Sequence, residues 1–183
     1  THYLRTEPGA DEARRVWNAV RASPLYDAPL GMYLVGDSVE EESKDVGRIW
    51  AWPPGWFENQ NIFLHMEHKY LLALLHAGDH EKFFADLRHC LLPYQDMDRY
   101  ARNPLENASF LVSSRHPRPD YHGRGFLPRT SGTTAEVLEM LLVMAFGKAP
   151  FRLEENALVL AFDPILPRSE ERRVGKECPS PCR

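Results

Sequence analysis

The chain has 183 residues, of which 43% are hydrophobic and 26% charged, and these are ordinary values for a globular protein with a substantial core. Its formal net charge of −4 argues against a nucleic-acid-binding role. No apolar run approaches the roughly 18 residues that span a bilayer, and no signal-peptide pattern opens the sequence, so we expect a soluble protein without membrane contact.

The C-terminal segment 168–183 differs in composition from the rest of the chain. It carries five Lys/Arg and three Glu but only one aliphatic residue, so removing it changes the net charge from −4 to −6. Such a segment cannot bury enough apolar area to become ordered. Its RSEERRVGKEC also resembles an artefactual tail found at the ends of unrelated conceptual translations. Outside it, Cys90 is the single cysteine, which favours a reducing, cytoplasmic location.

Helical periodicity is clear in three parts of the chain, taken in order. The spacing of apolar residues predicts a first helix over 11–22, which Ser23-Pro24 ends. A bent connector and an acidic surface run over 37–45 follow. Two further helices are predicted over 61–77 and 80–92, with Gly78-Asp79 between them. The short turn predicts an αα-hairpin, which is the repeating unit of helical bundles and helical barrels.

The second half of the chain is less regular. Residues 93–130 show no useful periodicity, and a connection of this length inside a compact domain is usually functional. Order resumes with a helix that begins near the hydroxyl-rich sequence SGTT at 131–134. A turn at Glu155-Asn156 and a strand over 157–162 close the pattern. The sequence therefore predicts a mainly α domain that gives way to a small β element.

The stretch GWFENQN, residues 55–61, combines aromatic rings with carboxylate and amide groups. A neutral polyhydroxylated ligand needs this mixture, because its C–H faces stack on rings and its hydroxyls need fixed hydrogen-bond partners. Three of the four tryptophans lie within seven residues around Pro53-Pro54. The alternative is structural: buried tryptophans beside an Asn-capped helix start.

The SGTT sequence offers hydroxyls and backbone N–H groups at a helix N-terminus, which together form an anion site that suits phosphate. An ordinary helix cap is the alternative. His65 and His68 stand three residues apart, but no HExxH motif or cysteine cluster accompanies them, so we expect no metal. The motifs GxSxG and GxGxxG and the Walker pattern are also absent.

Four segments together resemble the C-terminal part of cellobiose-phosphorylase-like proteins, the group around glycoside hydrolase family 94. The resemblance covers about residues 22–167 and rests on GWFENQNIFLHMEHKYLLALL, NPLENASFLVSSRHP, HGRGFLPRTSGTTAE and FDPILP. It implies part of an (α/α)6 barrel over 1–150 and the start of a C-terminal β-sandwich domain over 151–167, with 168–183 as the artefactual tail. The implied reaction is the phosphorolysis of a β-glucosidic bond with inversion.

The resemblance also implies site residues. The IFLH match places phosphate binding on His65, and the family's threonine-glycine-threonine turn matches Ser131, Gly132 and Thr133. The substrate-binding candidates, which we choose for their side-chain chemistry, are Trp56, Glu58, Glu106, Asn107 and Arg124. The family's general acid lies in an aspartate-tryptophan-asparagine-aspartate motif that these residues do not contain. The chain is therefore expected to supply the phosphate side of the site and to be inactive alone.

The sequence thus favours a fragment of an inverting glycoside phosphorylase, with inorganic phosphate as co-substrate, no other cofactor and an oligosaccharide or β-glucoside as partner. Characterised relatives are often dimers, so the resemblance implies a homodimer for the intact parent. Two alternatives stay open. One is an inverting glycosidase of the same barrel, in which Glu58 or Glu106 would activate water. The other is a non-catalytic carbohydrate-binding or scaffold domain made of helices.

Overall fold

A computed structural model of the chain describes residues 3–6, 8–103, 108–128 and 133–167. Within these ranges the chain forms five α-helices and seven strands. The helices are α1 Ala10–Arg21, α2 Leu64–Ala77, α3 His80–Cys90, α4 Met97–Tyr100 and α5 Thr133–Phe146. The strands are β1 Tyr26–Asp27, β2 Met32–Tyr33, β3 Ile62–Phe63, β4 Ala108–Leu111, β5 Gly125–Pro128, β6 Phe151–Glu154 and β7 Ala157–Leu160.

The strands form three small antiparallel sheets. Strand β1 pairs with β2, and β6 pairs with β7, each as a two-stranded sheet. The third sheet has the order β3-β4-β5. The chain divides into two compact units, residues 1–137 and 138–183. None of the helices in the described ranges is both long and apolar enough to cross a membrane.

The αα-hairpin that the sequence predicts is confirmed. Helix α2 ends at Gly78, whose φ of 87° places it in the left-handed region that glycine adopts without strain. Asp79 then caps α3, because its carboxylate accepts the N–H of Lys82 at 3.5 Å. Helix α2 contributes much of the first unit's core, including Leu64, Leu71, Leu74 and Leu75, all with no exposed surface.

A buried polar network joins α1, β2 and α3 around Asp86. The carboxylate of Asp86 accepts the Tyr33 hydroxyl at 2.6 Å and the Trp17 indole N–H at 2.7 Å. Arg21 also donates to Asp86, at 2.5 Å. Burial and the contact with Asp86 both raise the pKa of Tyr33. The network connects residues that are 53 to 69 positions apart, so it fixes α1 against the α2–α3 hairpin.

The predicted fold class, a mainly α domain forming part of an (α/α)6 barrel with a β-sandwich start, is wrong. The described residues form a mixed α/β structure with no ring of helices, and β6 and β7 form a two-stranded hairpin rather than a sandwich. Strands β4 and β5 lie in the region predicted to be irregular. They are four residues long, and a run this short gives no reliable periodicity. The helix predicted from residue 61 starts at Leu64, because residues 62–63 pair with β4.

The second unit contains the β6–β7 hairpin. Glu155 and Asn156 occupy the turn with φ of 49° and 66°, and two successive positive φ values correspond to a type I′ turn, which suits the twist of a hairpin. The strand predicted over 157–162 is found as β7, and β6 is its partner. The segment after β7 runs back along the end of α5, where Ile165 N–H donates to the Met144 carbonyl at 2.8 Å.

Candidate functional site

The β3-β4-β5 sheet places three phenylalanines in one line across its strands. The register pairs Phe63 with Phe110, and Phe110 with Phe126. Directly opposed residues of antiparallel strands project to the same face, so the ring of Phe110 contacts the rings of Phe63 and Phe126. Their centroids lie 4.6 Å apart for Phe63 and Phe110, and 5.4 Å apart for Phe110 and Phe126. All three residues are half-buried, so part of their surface remains exposed.

Trp56 extends this line from a neighbouring loop. Its indole stacks on Phe126 with 4.3 Å between centroids and an interplanar angle of 2°. We call Phe63, Phe110, Phe126 and Trp56 the aromatic row. Phe57 adds an edge-on contact to Phe126 at 5.3 Å. The row therefore extends from the predicted substrate residue Trp56 to β3, immediately before α2.

Ser113 holds the tryptophan-bearing loop in place. Its hydroxyl donates to the Gln60 carbonyl at 2.6 Å, and its N–H donates to the Gly55 carbonyl at 3.2 Å. Gly55 has φ of 76°, and a Cβ there would lie 2.5 Å from the backbone nitrogen of His116. Only glycine fits this close approach between two backbone segments. Contacts with Ser113 and His116, which are distant in sequence, thus fix the position of Trp56.

His65 lies at the β3 end of the aromatic row. It is the second residue of α2, it is half-buried, and its ring contacts the ring of Phe63 edge-on at 6.0 Å. Its Nε2 lies 3.1 Å from Oε1 of Glu136, in the first turn of α5. The structure therefore connects two sequence-predicted residues, Trp56 and His65, through three phenylalanine rings within the first unit.

The opposite end of the row continues into a cationic cluster. Trp56 contacts the ring of His116 at 5.9 Å, and His116 contacts Tyr121 at 5.4 Å. The guanidinium of Arg124, a predicted substrate residue, lies 5.4 Å from the Tyr121 centroid. A second guanidinium, from Arg118, lies over the same ring at 4.2 Å. Arg124 is exposed, so its charge is open to solvent beside the tyrosine.

Glu58, another predicted substrate residue, is engaged in an ion pair. Its carboxylate accepts two hydrogen bonds from Arg48, one of them from Nε at 3.0 Å. Arg48 lowers the pKa of Glu58. A general base that activates water works best with a pKa near the working pH, so the pairing makes Glu58 a weak base. As an ionised carboxylate, Glu58 can accept hydrogen bonds from Arg48 or from a ligand.

The remaining predicted site residues are not described to the same extent. Glu106, Asn107, Ser131 and Gly132 lie outside the described residues. Thr133 is the first residue of α5, and its backbone alone is described. The predicted phosphate turn thus directly precedes the helix that carries Glu136. Among the described residues no group of three or more His, Cys, Asp and Glu side chains could hold a metal ion.

Sequence reasoning missed Glu136, Phe110 and Phe126 as members of this site. Glu136 is 71 residues from His65, and no spacing rule connects them. Strands β4 and β5 were not predicted, and the register that opposes Phe110 and Phe126 cannot be read from either short segment alone.

The chain was compared with models of known protein families and with curated proteins, and neither comparison found a match.

Proposed function

We propose that this chain binds a β-glucoside along the aromatic row and inorganic phosphate beside it at His65, as the phosphate side of an inverting glycoside phosphorylase. The observation that carries the proposal is the unbroken run of ring contacts from Trp56 to His65. Sugar rings stack their C–H faces on aromatic rings, and imidazole donates hydrogen bonds to phosphate oxygens. Both kinds of partner lie next to each other within the first unit.

In the proposed reaction, phosphate oxygen forms a bond to the anomeric carbon while the glycosidic bond on the opposite face breaks. Phosphate is already anionic, so it needs no general base, and the role of these residues is to position it and to complement its charge. The resemblance to cellobiose-phosphorylase-like proteins places the acid that protonates the leaving oxygen outside these residues. The proposal therefore assigns ligand binding to this chain and catalytic turnover to the intact protein. We propose that the intact protein is a cytoplasmic homodimer.

A non-catalytic carbohydrate-binding role is the second candidate, and the aromatic row alone favours it. This candidate requires the sugar to bind independently of phosphate and of His65. The glycosidase alternative requires a glutamate that activates water, and Glu58 suits this role poorly. Arg48 lowers the pKa of its carboxyl, which makes it a poor general base.

Isothermal titration calorimetry on the chain tests the proposal. The ligands are inorganic phosphate, glucose 1-phosphate and short β-1,4-linked glucose oligosaccharides, each titrated into the unmodified chain and into His65→Ala. His89→Ala, at an exposed position of α3, is the matched control. We expect His65→Ala to weaken phosphate binding to a lower but still measurable affinity, and His89→Ala to leave phosphate affinity unchanged. The oligosaccharide should bind to both variants.

Three results would contradict the proposal, and the first of them would favour the carbohydrate-binding role. Oligosaccharide binding without any phosphate binding would move the assignment to the carbohydrate-binding role. A phosphate affinity that is unchanged in His65→Ala would remove His65 from the site. An absence of heat with every ligand would overturn both candidates.

A further inference from the structure

We propose that Glu136 is a positioning residue that holds the His65 imidazole ready for an anion. The inference rests on the proposed function and deepens it, because it concerns the same phosphate site. The Glu136 carboxylate lies 3.1 Å from His65 Nε2, and the two side chains are 13% and 27% exposed. The contact joins the start of α2 to the start of α5.

The chemistry of imidazole gives this contact its meaning. Neutral histidine donates from one ring nitrogen and accepts at the other, whereas protonated histidine donates from both. A carboxylate on Nε2 fixes the ring orientation and leaves Nδ1 for the anion. No hydrogen bond from Nδ1 to another residue is found in the described ranges. Metal-binding histidines use the same device, in which a carboxylate on one nitrogen orients the other toward the ligand.

The surroundings of Glu136 indicate that its carboxylate serves His65. Its second oxygen, Oε2, is buried and has no hydrogen-bond partner among the described residues. Glu136 also lies in the first turn of α5, where the helix dipole favours a negative charge. His65 is the described side chain that donates a hydrogen bond to this half-buried carboxylate. Glu136 itself does not touch phosphate, because two anions repel.

A double-mutant cycle separates positioning from general structural support. Phosphate affinity is measured by calorimetry for the unmodified chain, Glu136→Gln, His65→Ala and the double variant. Glutamine keeps the side-chain shape and one acceptor oxygen but removes the charge. We expect Glu136→Gln to weaken phosphate binding about tenfold, since a hydrogen bond to a charged carboxylate is stronger than one to a neutral amide. In the His65→Ala background the same substitution should change nothing, because the two residues act as one unit.

Two controls keep the test decisive. Glu139→Gln, on the same helix, should leave phosphate affinity unchanged. Glu136→Met, which removes the acceptor as well as the charge, replaces Glu136→Gln if that variant loses its native circular dichroism spectrum, and it should weaken binding at least as much.

The outcomes for the two proposals differ. If phosphate binds in a His65-dependent way but Glu136→Gln has no effect, or has the same effect with and without His65, the positioning role is overturned and the proposed function stands. If the unmodified chain binds no phosphate, or binds it independently of His65, the proposed function fails and the positioning role fails with it.

Discussion

The indole of Trp56 stacks on the ring of Phe126, although 70 positions separate the two residues in the chain. Their centroids lie 4.3 Å apart, and the angle between the ring planes is 2°. Offset stacking of this kind contributes about 0.5–1.5 kcal/mol beyond the area that the rings bury. The contact fixes the loop that carries Trp56 to the edge of the β3-β4-β5 sheet. It thus makes one continuous surface from a loop residue and a strand residue.

Removal of the Trp56 side chain should therefore lower the affinity for sugar. We expect Trp56→Ala to lower the affinity for β-linked glucose oligosaccharides by about tenfold, which corresponds to about 1.4 kcal/mol. Trp50→Ala is the matched control, because Trp50 is 36% exposed and donates its indole N–H to the Ser43 carbonyl, outside the aromatic row. Calorimetric titration measures both variants. Equal losses for the two tryptophans would remove the aromatic row from the site.

Gly55 permits a test of the loop geometry that supports Trp56. Gly55→Ala places a Cβ 2.5 Å from the His116 nitrogen and also forces a non-glycine residue to φ of 76°. Gly47→Ala has only the second cost, because Gly47 has φ of 86° and open space around its missing Cβ. We expect Gly47→Ala to cost about 1–2 kcal/mol of unfolding free energy, and Gly55→Ala clearly more. Urea unfolding gives both values, and equal values would show that the loop can move away.

Local signals in the sequence predicted much of the helical structure. Gly78 and Asp79 mark the α2–α3 turn in a way that needs no tertiary information, because a left-handed cap and an N-cap depend on neighbouring residues. The sheet was missed for the opposite reason. Phe63, Phe110 and Phe126 form one line only through the register of three strands that are separated in the chain. The same limit applies to His65 and Glu136, which are 71 positions apart in the chain and meet only in the folded structure.

The β6–β7 hairpin should promote self-association of the isolated chain. Its register places Phe151, Leu160, Leu153 and Leu158 on one face, and their exposed fractions are 66%, 50%, 75% and 72%. An apolar patch of this kind favours aggregation. We expect Leu153→Thr/Leu158→Thr to reduce light scattering at a given protein concentration. Val159→Thr, on the other face, is the control, and an equal effect from it would contradict the role of this face.

Glu67 should make the stability of the chain fall as the pH rises. Its carboxyl is 3% exposed, and burial raises its pKa to about 8, with further contributions from the charges of Asp86 and Asp27. Two hydrogen bonds act in the other direction, since Oε1 accepts the Tyr33 N–H and the Cys90 thiol, both at 3.1 Å. Burial dominates, so the folded chain holds a proton that the unfolded chain releases above its ordinary pKa of 4.5.

The sign follows from this difference in bound protons. Between the two pKa values, 4.5 and about 8, the folded state binds more protons than the unfolded state, so the free energy of unfolding decreases as the pH rises. The expected slope is about 1.4 kcal/mol per pH unit at most, and it should level off above the folded pKa. Glu67→Gln removes this contribution, so its stability should vary less between pH 5 and pH 8 than that of the unmodified chain. Urea unfolding midpoints across this range measure the difference, with Glu41→Gln as an exposed control. Parallel curves for Glu67→Gln and the unmodified chain would show that Glu67 is ionised in the folded state.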